Sequence, residues 1–190
     1  NEYLEMLLPK WNAAIQEPDA FMALPLQRDF YARNLKNAKE RTVVIISDAM
    51  RYEVGKELFR RMQDDPKCTA KLEVQLSVLP SYTRLGMAAL LPHAELTMMD
   101  DFKVLIDGMP CDNLAEREAV LHKYSKDSTC VQFDNIKSLK VVELRSIFTG
   151  KQVVYVYHNQ IDARGDKPNT EDEVFVACQE AIAEIIDQIR

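Results

Sequence analysis

Three polar clusters carry the residue types that could do chemistry. Ser47-Asp48 closes the run "TVVIISDAMRYE", Thr83 stands in "PSYTRLGMAALLPH", and His158, Asp162 and Asp166 recur four residues apart in "YHNQIDARGDKPNTEDE". Carboxylate oxygens and imidazole nitrogen at this density suit a divalent ion such as zinc or manganese. A threonine hydroxyl is a weak nucleophile at neutral pH and needs a base or a metal ion to activate it. Two ions about 4 Å apart would do this while also stabilising the leaving oxygen of an in-line phosphoryl displacement. Each residue has a structural reading as well. Asp48 and Thr83 sit where helix caps are common, and the Asn and Asp of the third cluster are ordinary turn formers. Arg51 and Arg84 adjoin the clusters, either as holders of phosphate oxygens or as solvated arginines. Ser47, Ser81, Tyr82, His93 and His122 read as turn, packing or structural groups.

The elements around these residues decide whether the clusters can meet. "TVVIIS" reads as a strand buried on both faces, and Val54, Leu58 and Met62 recur at four-residue spacing in the helix that follows. "KLEVQLSVL" alternates apolar and polar residues, the period of a half-buried strand. Leu85, Ala88, Ala89 and Leu91 then form an apolar helical face up to Pro92. "DFKVLIDG" predicts a strand closed by Asp107-Gly108, and "DNLAEREAVLHKY" a helix capped by Asn113 with Glu116 three residues on. "CVQF" and "QVVYVY" predict further strands around a helix, "SLKVVELRSIFTG", that Gly150 stops. Thr170 and Glu173 have the spacing of a capping box for the last helix. Residues 1–40 form a helical lead-in, and 41–190 alternate strand and helix. The expected fold is α/β, a mostly parallel sheet with helices on both faces. In such sheets, sites form where loops leave the carboxyl ends of strands. All three clusters follow predicted strands.

Composition narrows the partners. The 190 residues are 47 % hydrophobic and 28 % charged, ordinary for a globular chain with one sizeable core. A net charge of −6 gives no general field to attract nucleic acid or an anionic membrane. A phosphate-bearing substrate therefore needs a local positive site, which metal held by carboxylates would supply. The four cysteines are widely spaced without a CxxC pair, which reads as reduced thiols rather than a disulfide framework. No signal-peptide pattern or 18-residue apolar run is present, so the expected setting is cytoplasmic.

Taken together, "VVIISDAMRYE", "LPSYTRLGMAALLPH", "VLIDG" and "VYVYHNQIDARGD" resemble the PglZ domain of bacterial BREX phage-exclusion systems, a branch of the alkaline phosphatase superfamily, from about Arg41 onward. The resemblance implies an alkaline-phosphatase-like core in which Asp48 and Thr83 share one metal ion, Thr83 being the nucleophile. It implies a second ion held by a D-x-x-G-H motif. Here "DARGD" keeps Asp162 and Gly165 but places Asp166 where His is usual, with His158 as a candidate to compensate. The superfamily's later D-H-G motif does not occur after Asp166, so the chain reads as a truncated piece whose later strands are missing. Such a sheet would expose an apolar edge prone to self-association.

Two functional expectations result. One is a metal-dependent phosphoesterase core of a phage-defence protein, using two divalent ions, zinc or manganese, on a phosphoester or nucleic-acid substrate and inactive as a fragment. The other is a non-catalytic module that holds partner proteins of a defence complex. A phosphatase that forms an aspartyl phosphate would want D-x-D at the first strand end, and "SDAMR" lacks the second Asp.

Overall fold

The computed structural model describes residues 2–16, 23–167 and 169–189. Its elements are α1 (Glu2–Gln16), α2 (Phe30–Asn34), β1 (Thr42–Ser47), α3 (Tyr52–Gln63), α4 (Thr83–Ala89), β2 (Leu96–Met98), β3 (Val104–Ile106), β4 (Met109–Pro110), α5 (Leu114–Tyr124), β5 (Ser128–Gln132), α6 (Phe133–Ile136), α7 (Val141–Phe148), β6 (Val153–His158), α8 (Gln160–Gly165) and α9 (Val174–Ile189). The architecture is α/β, as expected.

A parallel sheet of order β1-β6-β5 forms the centre. β-branched residues stiff at χ1 fill its strands. All six residues of β6 are buried, the position its unbroken apolar run requires. Alternation then sorts the side chains. Val153, Tyr155 and Tyr157 join Val44, Ile46, Leu85, Leu91, Val120 and Leu121 in the larger core. Val154 and Val156 face the other way, onto Phe133 and Ile136 of α6, with Ile45 of β1 and Leu144 and Phe148 of α7 packed against them. The Tyr155 hydroxyl donates to the Leu90 carbonyl at 2.7 Å, so its burial leaves no orphan. A second, antiparallel sheet runs β2-β3-β4. Its tight turn uses Asp107 (φ 50°) and Gly108 (φ 78°), the paired positive φ values that favour an Asp-Gly hairpin. The predicted Asn113–Glu116 capping box is present at α5.

Two local expectations are corrected. Residues 71–79 run extended but join neither sheet: Leu76 makes one parallel bridge with Leu26, its N–H donating to the Pro25 carbonyl at 2.8 Å while the Gln27 N–H donates to the Leu76 carbonyl at 2.8 Å. Alternation reports one buried face, and here that face packs beside the N-terminal segment rather than on a sheet neighbour. The Gln27 side chain tightens this junction, donating to the Gly86 carbonyl at 3.2 Å and accepting from the Val78 N–H at 3.0 Å. The Thr170–Glu173 capping box does not form, because the Thr170 hydroxyl donates to the Arg164 carbonyl at 2.8 Å and a short 3-10 turn, Glu171–Glu173, precedes α9. No helix among the described residues is long and apolar enough to cross a membrane.

Candidate active site

β1 and β6 are parallel neighbours in register Ser47↔His158, so the first and third polar clusters emerge side by side at one sheet edge. The Asp48 N–H donates to the His158 carbonyl at 2.9 Å, extending the ladder one residue beyond β1 and fixing where the carboxylate starts. Ala49 follows in the left-handed region at φ 60°, a conformation non-glycine residues rarely adopt, and its N–H donates to Asp48 Oδ1 at 2.9 Å. The chain is bent sharply there to aim one side chain.

Asp48 is half-buried, with Asp162 of α8 and Asp166 at its C-terminal end close enough to influence it. Burial raises the Asp48 carboxyl above the ordinary carboxylate range, and the charge of Asp162 raises it further. The Ala49 N–H and the Arg117 guanidinium pull it back, and Asp166 adds a smaller upward push. Crowded carboxylates in a partly desolvated corner repel one another, and a cation would relieve that repulsion.

Thr83 is exposed and stands at the first helical position of α4; the cap position belongs to Tyr82, and no side chain caps this helix start. Thr83 and Asp48 line the same groove, together with Arg51. Arg84 points elsewhere and makes a loose ion pair with Asp112 at 3.7 Å.

His158 occupies a different place from a solvent-facing ligand. Its side chain is buried, with the residue 1 % exposed. Nδ1 meets the Ser47 hydroxyl at 2.9 Å and Nε2 meets Glu184 Oε2 of α9 at 3.1 Å. Because a carboxylate only accepts, Nε2 carries a proton, and in the neutral ring Nδ1 then accepts from the Ser47 hydroxyl. The ring also packs edge-on against Phe133, centroids 4.7 Å apart. Both nitrogens are engaged within the protein.

The donors near Asp48 are the carboxylates of Asp162 and Asp166, hard ligands that suit a divalent cation in kind, while Thr83 shares the groove with Asp48 but Asp162, Asp166 and His158 do not line it. In number they are few: among the described residues no three His, Cys, Asp or Glu side chains gather closely enough to hold an ion. Two contributors, Arg117 and Glu184, escape a reading of the sequence. Arg117 reaches the site from α5, stacking 4.8 Å over the Tyr157 ring while its Nε donates to the Cys111 carbonyl at 3.0 Å. Glu184 and Ser47 complete the histidine's surroundings. No local spacing links either Arg117 or Glu184 to the polar clusters.

Residues 29–190 match the family described as the BREX system PglZ alkaline phosphatase-like domain. The whole chain aligns, at 38 % identity over 199 residues, with the alkaline phosphatase-like protein PglZ of Bacillus cereus, covering 23 % of that protein. It aligns at 36 % identity over 201 residues with the alkaline phosphatase-like protein BrxZ of Escherichia coli, again covering 23 % of it. The chain thus spans about a quarter of the length of these relatives. No solved structure matches it.

Proposed function

The chain belongs to the family of BREX system PglZ alkaline phosphatase-like domains, and from that membership and the site geometry we propose that it supplies the nucleophile-bearing part of a metal-dependent phosphoesterase in a phage-defence protein. The observation that carries the reading is the pairing, across one groove, of an uncapped threonine hydroxyl at the start of α4 with the crowded, half-buried carboxylate of Asp48.

In this reading the Thr83 hydroxyl oxygen would bond to the phosphorus of a phosphoester as the bond from phosphorus to the ester oxygen breaks and the alcohol leaves with the proton, water later releasing the phosphoryl group; Asp48, with Asp162 and Asp166 nearby, would contribute ligands to divalent metal, zinc or manganese, that the described residues do not complete by themselves. Bound metal would lower the pKa of the attacking hydroxyl and neutralise charge on the phosphoryl oxygens. Arg51, which also lines the groove, would hold a phosphate oxygen. His158 orients the strand end instead of ligating, since both its nitrogens are already bonded.

The test is hydrolysis of a nitrophenyl phosphodiester by the full-length protein with zinc and manganese each in excess. Thr83→Ala should abolish turnover and Thr83→Ser should retain it, because serine keeps the attacking oxygen. Since Thr83 caps nothing, both variants should stay within about 0.5 kcal/mol of the parent in stability. Parental rates from a folded Thr83→Ala protein would remove the catalytic assignment. The short donor count favours the alternative, a non-catalytic module that holds other defence proteins, and absence of turnover by the folded parent with either metal would select it.

A further inference from the structure

The turn between β2 and β3 reads "MDDFK", and its backbone is unusual at Phe102. Phe102 stands in the left-handed region at φ 63°, where glycine, asparagine or aspartate sits with little strain and a bulky side chain does not. The loop holds it there. The Met99 N–H donates to the Lys103 carbonyl at 2.8 Å, the Phe102 N–H to the Met99 carbonyl at 2.9 Å, and the Lys103 N–H to Asp101 Oδ1 at 3.2 Å. Strain of this kind persists where something other than local comfort requires the side chain. Core packing does not require this one, because Phe102 is 62 % exposed.

What the ring touches is Tyr82. The two rings meet edge to face, with centroids 6.3 Å apart and planes at 72°. Tyr82 is anchored: it packs against the larger core, its N–H donates to the Pro80 carbonyl at 2.8 Å, and its carbonyl accepts from the Gly86 N–H at 2.9 Å. The next residue in the chain is Thr83. Phe102 is therefore a solvent-facing aromatic ring braced on the immediate neighbour of the candidate nucleophile. The charges around it are already paired, Lys103 with Asp101 at 2.7 Å and Arg84 with Asp112 at 3.7 Å. One exposed ring among paired charges falls far short of the roughly 800 Å² per partner that a stable protein interface buries. It matches one flat π-face, and nucleobases stack on exposed aromatic side chains in this way.

We infer that Phe102, braced by Tyr82, is a stacking platform for a base carried by the phosphoester, and so sets the specificity of the site for nucleotide esters over esters of plain sugars or alkyl alcohols. This rests on the reading of the Thr83–Asp48 corner as a phosphoester site and adds what that site selects. Stacking reads the π-face, so the preference is for a base rather than for one particular base.

Calorimetry on the full-length protein with manganese in excess tests it, comparing adenosine 5′-monophosphate with ribose 5-phosphate, which share the sugar phosphate and differ in the base. The nucleotide should bind about 5- to 100-fold more tightly, the range for stacking on one aromatic side chain, and Phe102→Asn should bring the two ligands within about twofold of each other. Phe102→Tyr, which keeps a ring, should keep the preference. Asparagine is at ease at φ 63° and the lost ring is exposed, so melting curves should show both variants as folded as the parent. Equal affinities in the parent, binding of neither ligand, or a preference that survives Phe102→Asn would overturn the inference. Phosphodiester hydrolysis by the same preparation keeps the two readings apart: turnover with no preference for a base refutes only the platform, and a Phe102-dependent preference without turnover refutes only the catalytic role of Thr83.

Discussion

Removing the Ser47 hydroxyl should cost more than a surface serine normally does, and only while His158 is present. With Ser47→Ala, Nδ1 of a ring that is 1 % exposed loses its partner at 2.9 Å. A buried acceptor left unpaired costs about 1–3 kcal/mol. In His158→Phe the ring's edge contact with Phe133 can persist and no polar atom remains to be satisfied. Ser47 is half-buried at the groove and the Glu184 side chain is 32 % exposed, so both can turn to water. In that background Ser47→Ala should be nearly silent. The coupling energy of the cycle is therefore expected to be about 1–3 kcal/mol, against the few tenths typical of independent sites. Urea unfolding of residues 1–190 followed by circular dichroism reads it directly. With a slope of about 2 kcal/mol/M, the single change should lower the midpoint by roughly 0.5–1.5 M, and the same change on His158→Phe by almost nothing. Equal midpoint losses in both backgrounds, with unchanged slopes, would refute the idea that the hydroxyl and the ring act as one unit.

Asp48→Asn should stabilise the protein at pH 7 in the presence of a chelator while removing any metal response. The raised Asp48 pKa means its favourable contribution is complete below the unfolded value and lost as pH rises through the folded one, so at pH 7 the charge opposes folding; a lower melting temperature for Asp48→Asn would contradict this. Asp107 behaves oppositely. Burial would raise its carboxyl, but hydrogen bonds from the Tyr124 hydroxyl and the Glu95 and Ala94 backbone outweigh that and hold it at about 2. Its stabilisation, about 1–2 kcal/mol, is present above about pH 4 and lost as pH falls through about 2, so Asp107→Asn should cost stability at pH 7 and little at pH 2. Burial pushes the Cys111 thiol to about 11 and the Cys130 thiol to about 12, while Cys68 and Cys178 are partly exposed. Iodoacetamide at pH 8 should therefore label at most two cysteines until the chain unfolds, as intact-mass measurement would show.

Strongly apolar runs were the legible part of the fold. "TVVIIS" and "VVYVY" were both readable as strands, and their carboxyl ends placed Ser47-Asp48 and His158 where open sheets build sites; the expected cover on both faces holds for β6, whereas β1 buries only Val44 and Ile46 and leaves Val43 43 % exposed. Asp107-Gly108 and the Asn113–Glu116 box were equally readable, since their causes are local. Residues 71–79 were not, because alternation describes a half-buried extended chain and says nothing about which neighbour covers it. Thr83 looked like a cap or a nucleophile; the backbone turns one residue earlier, at Tyr82, and removes the first role. Arg117 and Glu184 were invisible. Each sits on a helix whose pattern explains it as surface charge, and only the crossing of α5 and α9 with β6 brings them to the site.

The pairing of β1 with β6 has a consequence for the nascent chain. Ser47 and His158 are 111 residues apart, and at about 5–20 residues per second a ribosome takes roughly 6–22 s to cover that distance. For that interval a Val- and Ile-rich strand waits without the partner that will hydrogen-bond it. Helices α4 and α5 can pack meanwhile on segments already made or soon to follow, whereas α3 packs against α9 and waits as well. Synthesis speed and holding chaperones, rather than final stability, would then govern how much of the protein reaches its native state in the cell.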